Sequence, residues 1–376
     1  MWALVNILIT VGMLFVVPAG LRLADATPPA SRRGRAGRPL RRGGAAEPLR
    51  GRFGGFLRGG AAGSVRGRAV EPVRLWLVGA VAGAASLWLP RGPFAVVLAT
   101  VYGLAAAALA LHAVRLRLAW RERIALVTAL VSPAIAAGAL IAERAGHRLF
   151  GFELGVLTLT VAHFHFAGFA AALIAGLHRR LAPGRPADTA VLAVPTGTLL
   201  VLAGYFTSEF VELAGALVLT AGMWAMGWST WRHARTRVAD RLTATLLAVS
   251  AVVLAASMAL AVSWALGEAT GLPHPSPAWM AATHGVANAL GFAVCGLAAY
   301  TRLQPRTAEP EPTLAASEST ASESTASGPA ASEHAACGLA VSGPAVSGPA
   351  ASGAALAGSA LMGPSAGGWW RWAAGR

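Results

Sequence analysis

Two histidines, His163 and His165, lie one residue apart in the middle of a long apolar stretch. Imidazole is costly to place in hydrocarbon, so its presence there indicates a functional site. The ring titrates near physiological pH and can relay protons, bind a solute or ligate a metal. Positions two apart on a helix point about 200° from each other. We therefore expect the two rings to contact different neighbours and not to share one metal ion.

Further polar residues fall in register with these histidines. On a helix, Glu153 and Thr160 lie near the face of His163, because they precede it by ten and three residues. In the last apolar stretch, His284 and Asn288 are one turn apart and share a face. His284 should lie about 8 Å nearer the outer surface than His163, a distance that a helix tilt could close. The residues of the predicted solute site are His163, His165, Thr160, His284 and Asn288.

Three acidic residues stand near the expected outer end of this site and are predicted to support it. Glu153 precedes the fifth apolar stretch, and Glu209 and Glu212 lie at the turn between the sixth and the seventh. Solvation at the membrane interface is the alternative explanation for these carboxylates. If the site holds a cofactor instead of a solute, the choice is between haem and a metal ion. The candidate ligands are then His163, His165 and His284.

The composition indicates that these residues belong to a membrane protein. The 376 residues are 55% hydrophobic and only 12% charged, whereas soluble domains carry about 25% charged residues. A membrane-crossing helix needs about 20 mostly apolar residues. The predicted fold is an all-α, polytopic integral membrane helical bundle of about nine transmembrane helices, near residues 2–20, 73–90, 93–114, 124–142, 154–176, 189–207, 211–231, 242–266 and 279–300.

Arginine is unevenly distributed between the connections of these segments. If alternate connections face the same side, one set holds 28 arginines and the other holds only Arg91, Arg144 and Arg148. In membrane proteins, the loops with excess basic residues face the cytoplasm. We therefore expect the N-terminus outside and the C-terminus in the cytoplasm. Topology and lipid contact then explain the net charge of +15.

The sequence divides into four regions. They are a first transmembrane helix (1–20), an Arg/Gly-rich cytoplasmic loop (21–72), an eight-helix membrane bundle (73–302) and an Ala/Ser/Gly/Pro-rich cytoplasmic tail (303–376). The loop and the tail have compositions that cannot bury a core, so we expect both to be disordered. The loop resembles RGG-type nucleic-acid-binding stretches. We favour anionic lipid headgroups over nucleic acid as the partner of residues 31–68. A cytoplasmic loop of a membrane protein lies next to the bilayer, so lipid binding needs no additional partner.

Several motifs resemble the YndJ-like family of multi-pass bacterial membrane proteins. They are the opening Val16 to Leu21, the core His163 to Phe169, the pair His284-Gly285 and the run Asn288 to Phe292. The Arg/Gly-rich loop and the tail look unlike the family. The resemblance implies a multi-pass protein of the bacterial plasma membrane and a transporter of a small solute, without naming that solute.

A second resemblance is local. The run Val161 to His165 looks like the haem-ligating helix of haem–copper oxidases, in which two histidines two apart serve two haems on opposite faces. A complete oxidase centre needs six histidines, and the apolar segments offer only His112, His163, His165 and His284. A complete oxygen-reducing centre is therefore excluded, whereas a single haem or metal ion is not.

Three functions remain open at this point. The first is a transporter of a small solute, although the sequence lacks a clear inverted repeat. The second is a haem- or metal-binding sensor or redox protein, and the third is a structural or assembly protein without a small-molecule site. A hydrolytic enzyme is disfavoured, because the chain has no P-loop, no Gly-x-Ser-x-Gly turn and no His-Glu-x-x-His motif.

Overall fold

The computed structural model describes residues 1–25, 62–116 and 118–304. Every regular element within these ranges is a helix, which confirms the all-α prediction for this part of the chain. The predicted lipid contact of residues 31–68 and the predicted disorder of the loop 21–72 and the tail 303–376 fall mostly outside the described residues. The described ends of these segments, residues 21–25, 62–72 and 303, are helical. For the rest of these segments, lipid contact and disorder stay predictions.

Nine helices follow one another in the described part, and four of them contain a wide π-helical turn. They are α1 (Trp2–Val11, Gly12–Val16 and Val17–Asp25), α2 (Ala62–Leu87), α3 (Pro93–Val114), α4 (Trp120–Arg144), α5 (Leu154–His163, Phe164–Ala170 and Ala171–Leu181), α6 (Arg185–Gly204), α7 (Glu209–Ser229, Thr230–Ala234 and Arg235–Arg237), α8 (Arg241–Thr270) and α9 (Pro277–Met280, Ala281–Gly285, Ala287–Val294 and Cys295–Leu303).

Eight of these helices are long and apolar enough to cross a membrane. The exception is α2, whose apolar part, Val73–Leu87, is shorter. The helix itself begins at Ala62, ahead of the expected residue 73, because it continues through charged residues that a hydropathy window leaves out. The chain is thus a helical bundle with eight candidate membrane spans, and a ninth crossing and the orientation stay predictions.

Helix α5 lies at the centre of the bundle, in contact with α1, α4, α6, α7 and α9. In its most apolar stretch 72% of the residues are buried, against 33–56% in the other seven candidate spans. Helix α3, by contrast, exposes Phe94, Leu104 and Leu111, as a lipid-facing helix does. A helix surrounded by protein can hold polar side chains that would be costly in contact with lipid. This central position is what allows α5 to carry its histidines.

Two glycines of α7 bring that helix into backbone contact with α6. A Cβ atom at Gly215 would overlap the backbone nitrogen of Val201, and one at Gly222 would overlap the Cβ of Ala193. Small residues at such positions let membrane helices approach closely. The α6–α7 hairpin has the most extensive contact of any helix pair in the described part.

A buried carboxylate, that of Glu143, joins the end of α4 to the turn between α2 and α3. It is 1% exposed and pairs with Arg91 at 2.8 Å and with the neighbouring Arg144. Arg144 also donates to a carbonyl of that turn at 3.2 Å. Arg148 pairs with Glu153 at 2.9 Å. All three arginines of the arginine-poor connections, Arg91, Arg144 and Arg148, are therefore paired with carboxylates.

We expect Gly215→Ala to lower the midpoint of thermal unfolding of the purified protein, because the added methyl group must displace the backbone of α6. Overpacking of this kind typically costs about 1–3 kcal/mol. Gly138→Ala in α4 is the matched control, since a Cβ atom there meets open space. Differential scanning fluorimetry in detergent gives both midpoints, and equal values would contradict a close contact that depends on glycine.

Candidate functional site

The two helices that carry the predicted histidines both contain π-helical segments. In α5 the segment Phe164–Ala170 begins directly after His163. In α9 the segments Ala281–Gly285 and Ala287–Val294 include His284 and Asn288. Hydrogen bonds in a π-helix run from residue i to i+5, and such turns are frequent at functional sites. The π-helical segments of α5 and α9 contact each other, so the two halves of the predicted site meet.

His165 is fully buried, and both of its ring nitrogens have hydrogen-bond partners. Nδ1 lies 2.7 Å from the carbonyl oxygen of Val161, which can only accept, so Nδ1 carries the proton. Nε2 then accepts from the hydroxyl of Tyr102 at 3.1 Å, and that hydroxyl shares its one proton with the carbonyl oxygen of Pro133 at 3.2 Å. A Cβ atom on Gly12 of α1 would lie 2.8 Å from the Cβ of His165, so α1 closes over the ring. His165 therefore holds helices together and has no nitrogen available for a ligand.

His284 and Asn288 form a second hydrogen-bonded group, which connects α9 to Ser257 of α8. The Nδ1 atom of His284 donates to the carbonyl of Ser257 at 2.8 Å. The amide nitrogen of Asn288 donates to Nε2 of His284 at 3.0 Å, and its amide oxygen accepts from the Ser257 hydroxyl at 2.7 Å. The arrangement fixes the tautomer and the orientation of the His284 ring.

His163 differs from both of these histidines, because its ring faces open space. Among the described residues its one ring contact is an edge-on contact with Phe164, and no group lies within hydrogen-bond distance of its nitrogens. The half-buried ring lines three neighbouring cavities of about 90, 130 and 140 Å³. His163 and His165 therefore have different neighbours, as their spacing predicts.

The largest of these three spaces, here called the central cavity, lies between α5, α6, α7, α8 and α9. Its volume is about 140 Å³, comparable to a protein cavity of about 150 Å³ that holds benzene. The structure brings three predicted residues, His163, His284 and Asn288, to its wall. The polar residues on its wall include His163, Thr198, Glu212, Thr220, His284 and Asn288.

Thr220 is the lining residue that the sequence did not single out. Its side chain is 3% exposed, and its hydroxyl has no hydrogen-bond partner in the described part of the chain. Most buried polar groups are paired, so a hydroxyl without a partner beside a cavity needs an explanation. The oxygen itself is inaccessible to a water molecule, so a molecule in the cavity reaches it only if the side chain turns. Thr198, on the opposite helix, instead donates to the carbonyl of Val194 at 2.8 Å. No sequence signal separates Thr220 from a threonine that is satisfied by its own helix.

The remaining predicted residues differ in whether they line the central cavity, a neighbouring cavity or neither. Thr160 lines the neighbouring cavity of about 130 Å³, and its hydroxyl donates to the carbonyl of Val156. Glu212 lines the central cavity itself. Glu153 precedes α5 and pairs with an arginine, and Glu209 is the first residue of α7, outside the lining of all three cavities.

The donor groups do not fit a metal ion or a haem. Within the described residues no three His, Cys, Asp or Glu side chains are grouped as a metal site would require. His165 and His284 have both nitrogens engaged, which leaves His163 as one available imidazole. Sites for larger ligands usually measure about 300–1,000 Å³, more than the central cavity offers. The likeness to haem–copper oxidases is thus confined to the local sequence.

A further buried histidine, His178, was missed among the histidines of the membrane region. Helix α5 extends to Leu181, beyond the predicted end at residue 176, because the apolar window stops where arginines begin. The ring of His178 is fully buried, with Nε2 3.0 Å from the hydroxyl of Ser229. Its Nδ1 lies 3.3 Å from the hydroxyl of Thr230 and 3.4 Å from that of Tyr300. Like His165, this histidine connects helices.

A family model described as YndJ-like protein matches residues 62–292. The chain belongs to the YndJ-like family. The match runs from the start of α2 into α9 and includes every helix that lines the central cavity. The opening motif, Val16 to Leu21, lies outside the matched residues. No curated protein and no solved structure matches the chain.

We expect Tyr102→Phe to lower the thermal unfolding midpoint, because Nε2 of the buried His165 loses its partner. Leaving such a group unpaired costs about 1–3 kcal/mol. In a His165→Leu background the same substitution should have a smaller effect, since no nitrogen is then left unpaired. The four midpoints form a double-mutant cycle, and an equal decrease in both backgrounds would contradict the hydrogen bond.

Proposed function

We propose that this YndJ-like protein is a multi-pass protein of the bacterial plasma membrane that transports a small polar solute through the central cavity. One observation carries the proposal. His163 faces the central cavity without a hydrogen-bond partner in the described part, and the buried hydroxyl of Thr220 on the same wall also lacks one, whereas both ring nitrogens of His165 and of His284 are engaged. A bundle that satisfies its other buried histidines and leaves these two groups without partners is arranged to bind something there.

The dimensions and the chemistry of the cavity favour a small solute with both polar and apolar parts. A space of about 140 Å³ suits a molecule of about benzene size. Imidazole and hydroxyl groups can each donate and accept, so His163 and Thr220 suit a neutral hydrogen-bonding group. Met258, Trp264 and Met280 line the same cavity and favour an apolar part. Glu212 places a carboxylate at the wall near the loop between α6 and α7.

The position of the cavity favours entry from outside the cell. Its lining residues come from the ends of α6 and α8 and from the first halves of α5, α7 and α9. It therefore lies in the half of the bundle next to the α6–α7 and α8–α9 loops. The arginine distribution favours an external position for these loops.

The solute is sought by screening small polar compounds for those that raise the thermal unfolding midpoint of the protein, as a bound ligand does. Flux of a stabilising compound is then measured in proteoliposomes. We expect Thr220→Val to weaken solute binding by about 2- to 10-fold, the value of one hydrogen bond. We expect His163→Ala to reduce flux more strongly.

Thr158→Val is the matched control for this experiment, because the Thr158 hydroxyl is satisfied by the carbonyl of Leu154 at 3.1 Å and lies outside the cavity lining. Flux in this variant should equal that of the unchanged protein. Equal losses in Thr158→Val and Thr220→Val, or full flux in His163→Ala, would show that the central cavity is not the transport site.

Access to the cavity is tested by cysteine labelling in a background with Cys295→Ser and Cys337→Ser. Ala216→Cys, on the cavity wall, should react with a small membrane-impermeant thiol reagent applied to intact cells. Thr236→Cys, exposed in the last turn of α7, should react only after the cells are permeabilised. The reverse pattern would overturn the proposed orientation.

A further inference from the structure

The second half of α7 carries three tryptophans along one side, at spacings of four and three residues. Trp224, Trp228 and Trp231 are 47%, 58% and 38% exposed, respectively. Together with Ala251, Val252 and Ala255 of α8 they line a surface groove of about 480 Å³. The indole nitrogen of Trp224 donates to the carbonyl of Ala255 at 3.1 Å, which fixes that ring against α8. This groove, here called the tryptophan groove, lies on the outside of the bundle.

Two arginines stack on the tryptophans at one end of the groove. The guanidinium of Arg232 lies 4.8 Å from the ring centre of Trp228, and that of Arg235 lies 3.9 Å from the ring centre of Trp231. The Nε atom of Arg235 also donates to the carbonyl of Trp231 at 2.6 Å. These contacts hold both guanidinium groups over the apolar tryptophan rings, so the two side chains do not extend into water.

Neither of these arginines is neutralised by an acidic side chain. No carboxylate of the described residues lies within ion-pair distance of Arg232 or Arg235. Other arginines at this end are paired, for example Arg179 with Asp188 at 2.6 Å. The tryptophan groove thus combines an apolar channel with two uncompensated positive charges at its end.

We propose that the tryptophan groove binds an anionic phospholipid, with an acyl chain along the tryptophans and the phosphate group on Arg232 and Arg235. From Trp224 to Trp231 the groove extends about 10 Å along the helix axis, a length that an acyl chain can follow. Tryptophan is enriched where membrane and water meet, and basic pockets between transmembrane helices bind anionic headgroups. The two positive charges of Arg232 and Arg235 complement the negative charge of a phosphate. The groove therefore selects a lipid by the charge of its headgroup as well as by its acyl chain.

A second copy of the chain is a less suitable occupant of the same groove. A copy related by rotation about the membrane normal would present the same arginine-rich end, so like charges would meet beside the groove. An anionic lipid reverses that repulsion, because its phosphate places a negative charge between the cations.

The experiment uses the full chain in neutral detergent, titrated with dioleoylphosphatidylglycerol or dioleoylphosphatidylcholine, and native mass spectrometry counts the bound lipid. The double variant Arg232→Gln and Arg235→Gln should bind phosphatidylglycerol about 25-fold more weakly, because each arginine contributes a factor of about five near an anionic headgroup. Its binding of phosphatidylcholine should weaken much less, because the choline cation offsets the charge of that lipid's phosphate. Trp228→Ala should weaken the binding of both lipids.

The matched control is Arg115→Gln with Arg123→Gln, which removes two exposed arginines from the same end of the bundle, outside the groove. Phosphatidylglycerol binding in this control should equal that of the unchanged protein, and thermal unfolding midpoints should show that all variants are folded. Equal losses in the two double variants would overturn the proposal. So would light scattering that shows a dimer which Trp228→Ala dissociates, since a second copy would then occupy the groove.

Discussion

Polar groups inside a membrane bundle must find partners within the protein, because hydrocarbon holds no water to replace a missing hydrogen bond. Helix α5 shows how strongly this constraint acts. It is surrounded by other helices and carries three histidines, two of which are fully engaged. His165 bonds to Tyr102 and to its own helix, and His178 bonds to hydroxyls of α7 and α9. The ring of His163, which has no hydrogen-bond partner among the described residues, is the exception on this helix, and a bound solute would explain it.

The same constraint separates the charged residues of the bundle into two groups. Glu143 is buried and is matched by Arg91 and Arg144, so the end with few arginines carries almost no uncompensated charge from them. At the other end Arg232 and Arg235 lie on exposed tryptophans without carboxylates. The buried charges of Glu143 and Arg144 are therefore balanced by protein, whereas Arg232 and Arg235 are left to the surroundings.

Much of the helical framework could be predicted from the sequence, because apolar length alone identifies candidate membrane spans. The divergent directions of His163 and His165 follow from the helical period, and the contact of His284 with Asn288 follows from their spacing of one turn. The meeting of α5 with α9 at the central cavity could only be found in three dimensions, since no local pattern relates segments so far apart in the chain.

Other features depend on neighbours that the sequence does not reveal. Thr220 resembles any threonine of an apolar helix, and only the packing around it shows that its hydroxyl lacks a partner. Glu143 and Arg144 look like the polar end of a helix, yet the α2–α3 turn covers them. The π-helical turns of α5 and α9 likewise leave no simple sequence pattern, although they determine how the site residues are directed.

The glycine contacts between α6 and α7 also limit how the bundle can move. Backbones packed without intervening side chains have no flexible layer along which to slide, so this hairpin acts as one rigid body. Two walls of the central cavity therefore shift together or not at all. Any rearrangement that widens the cavity must come from the opposite walls, and two of these, α5 and α9, contain the π-helical turns.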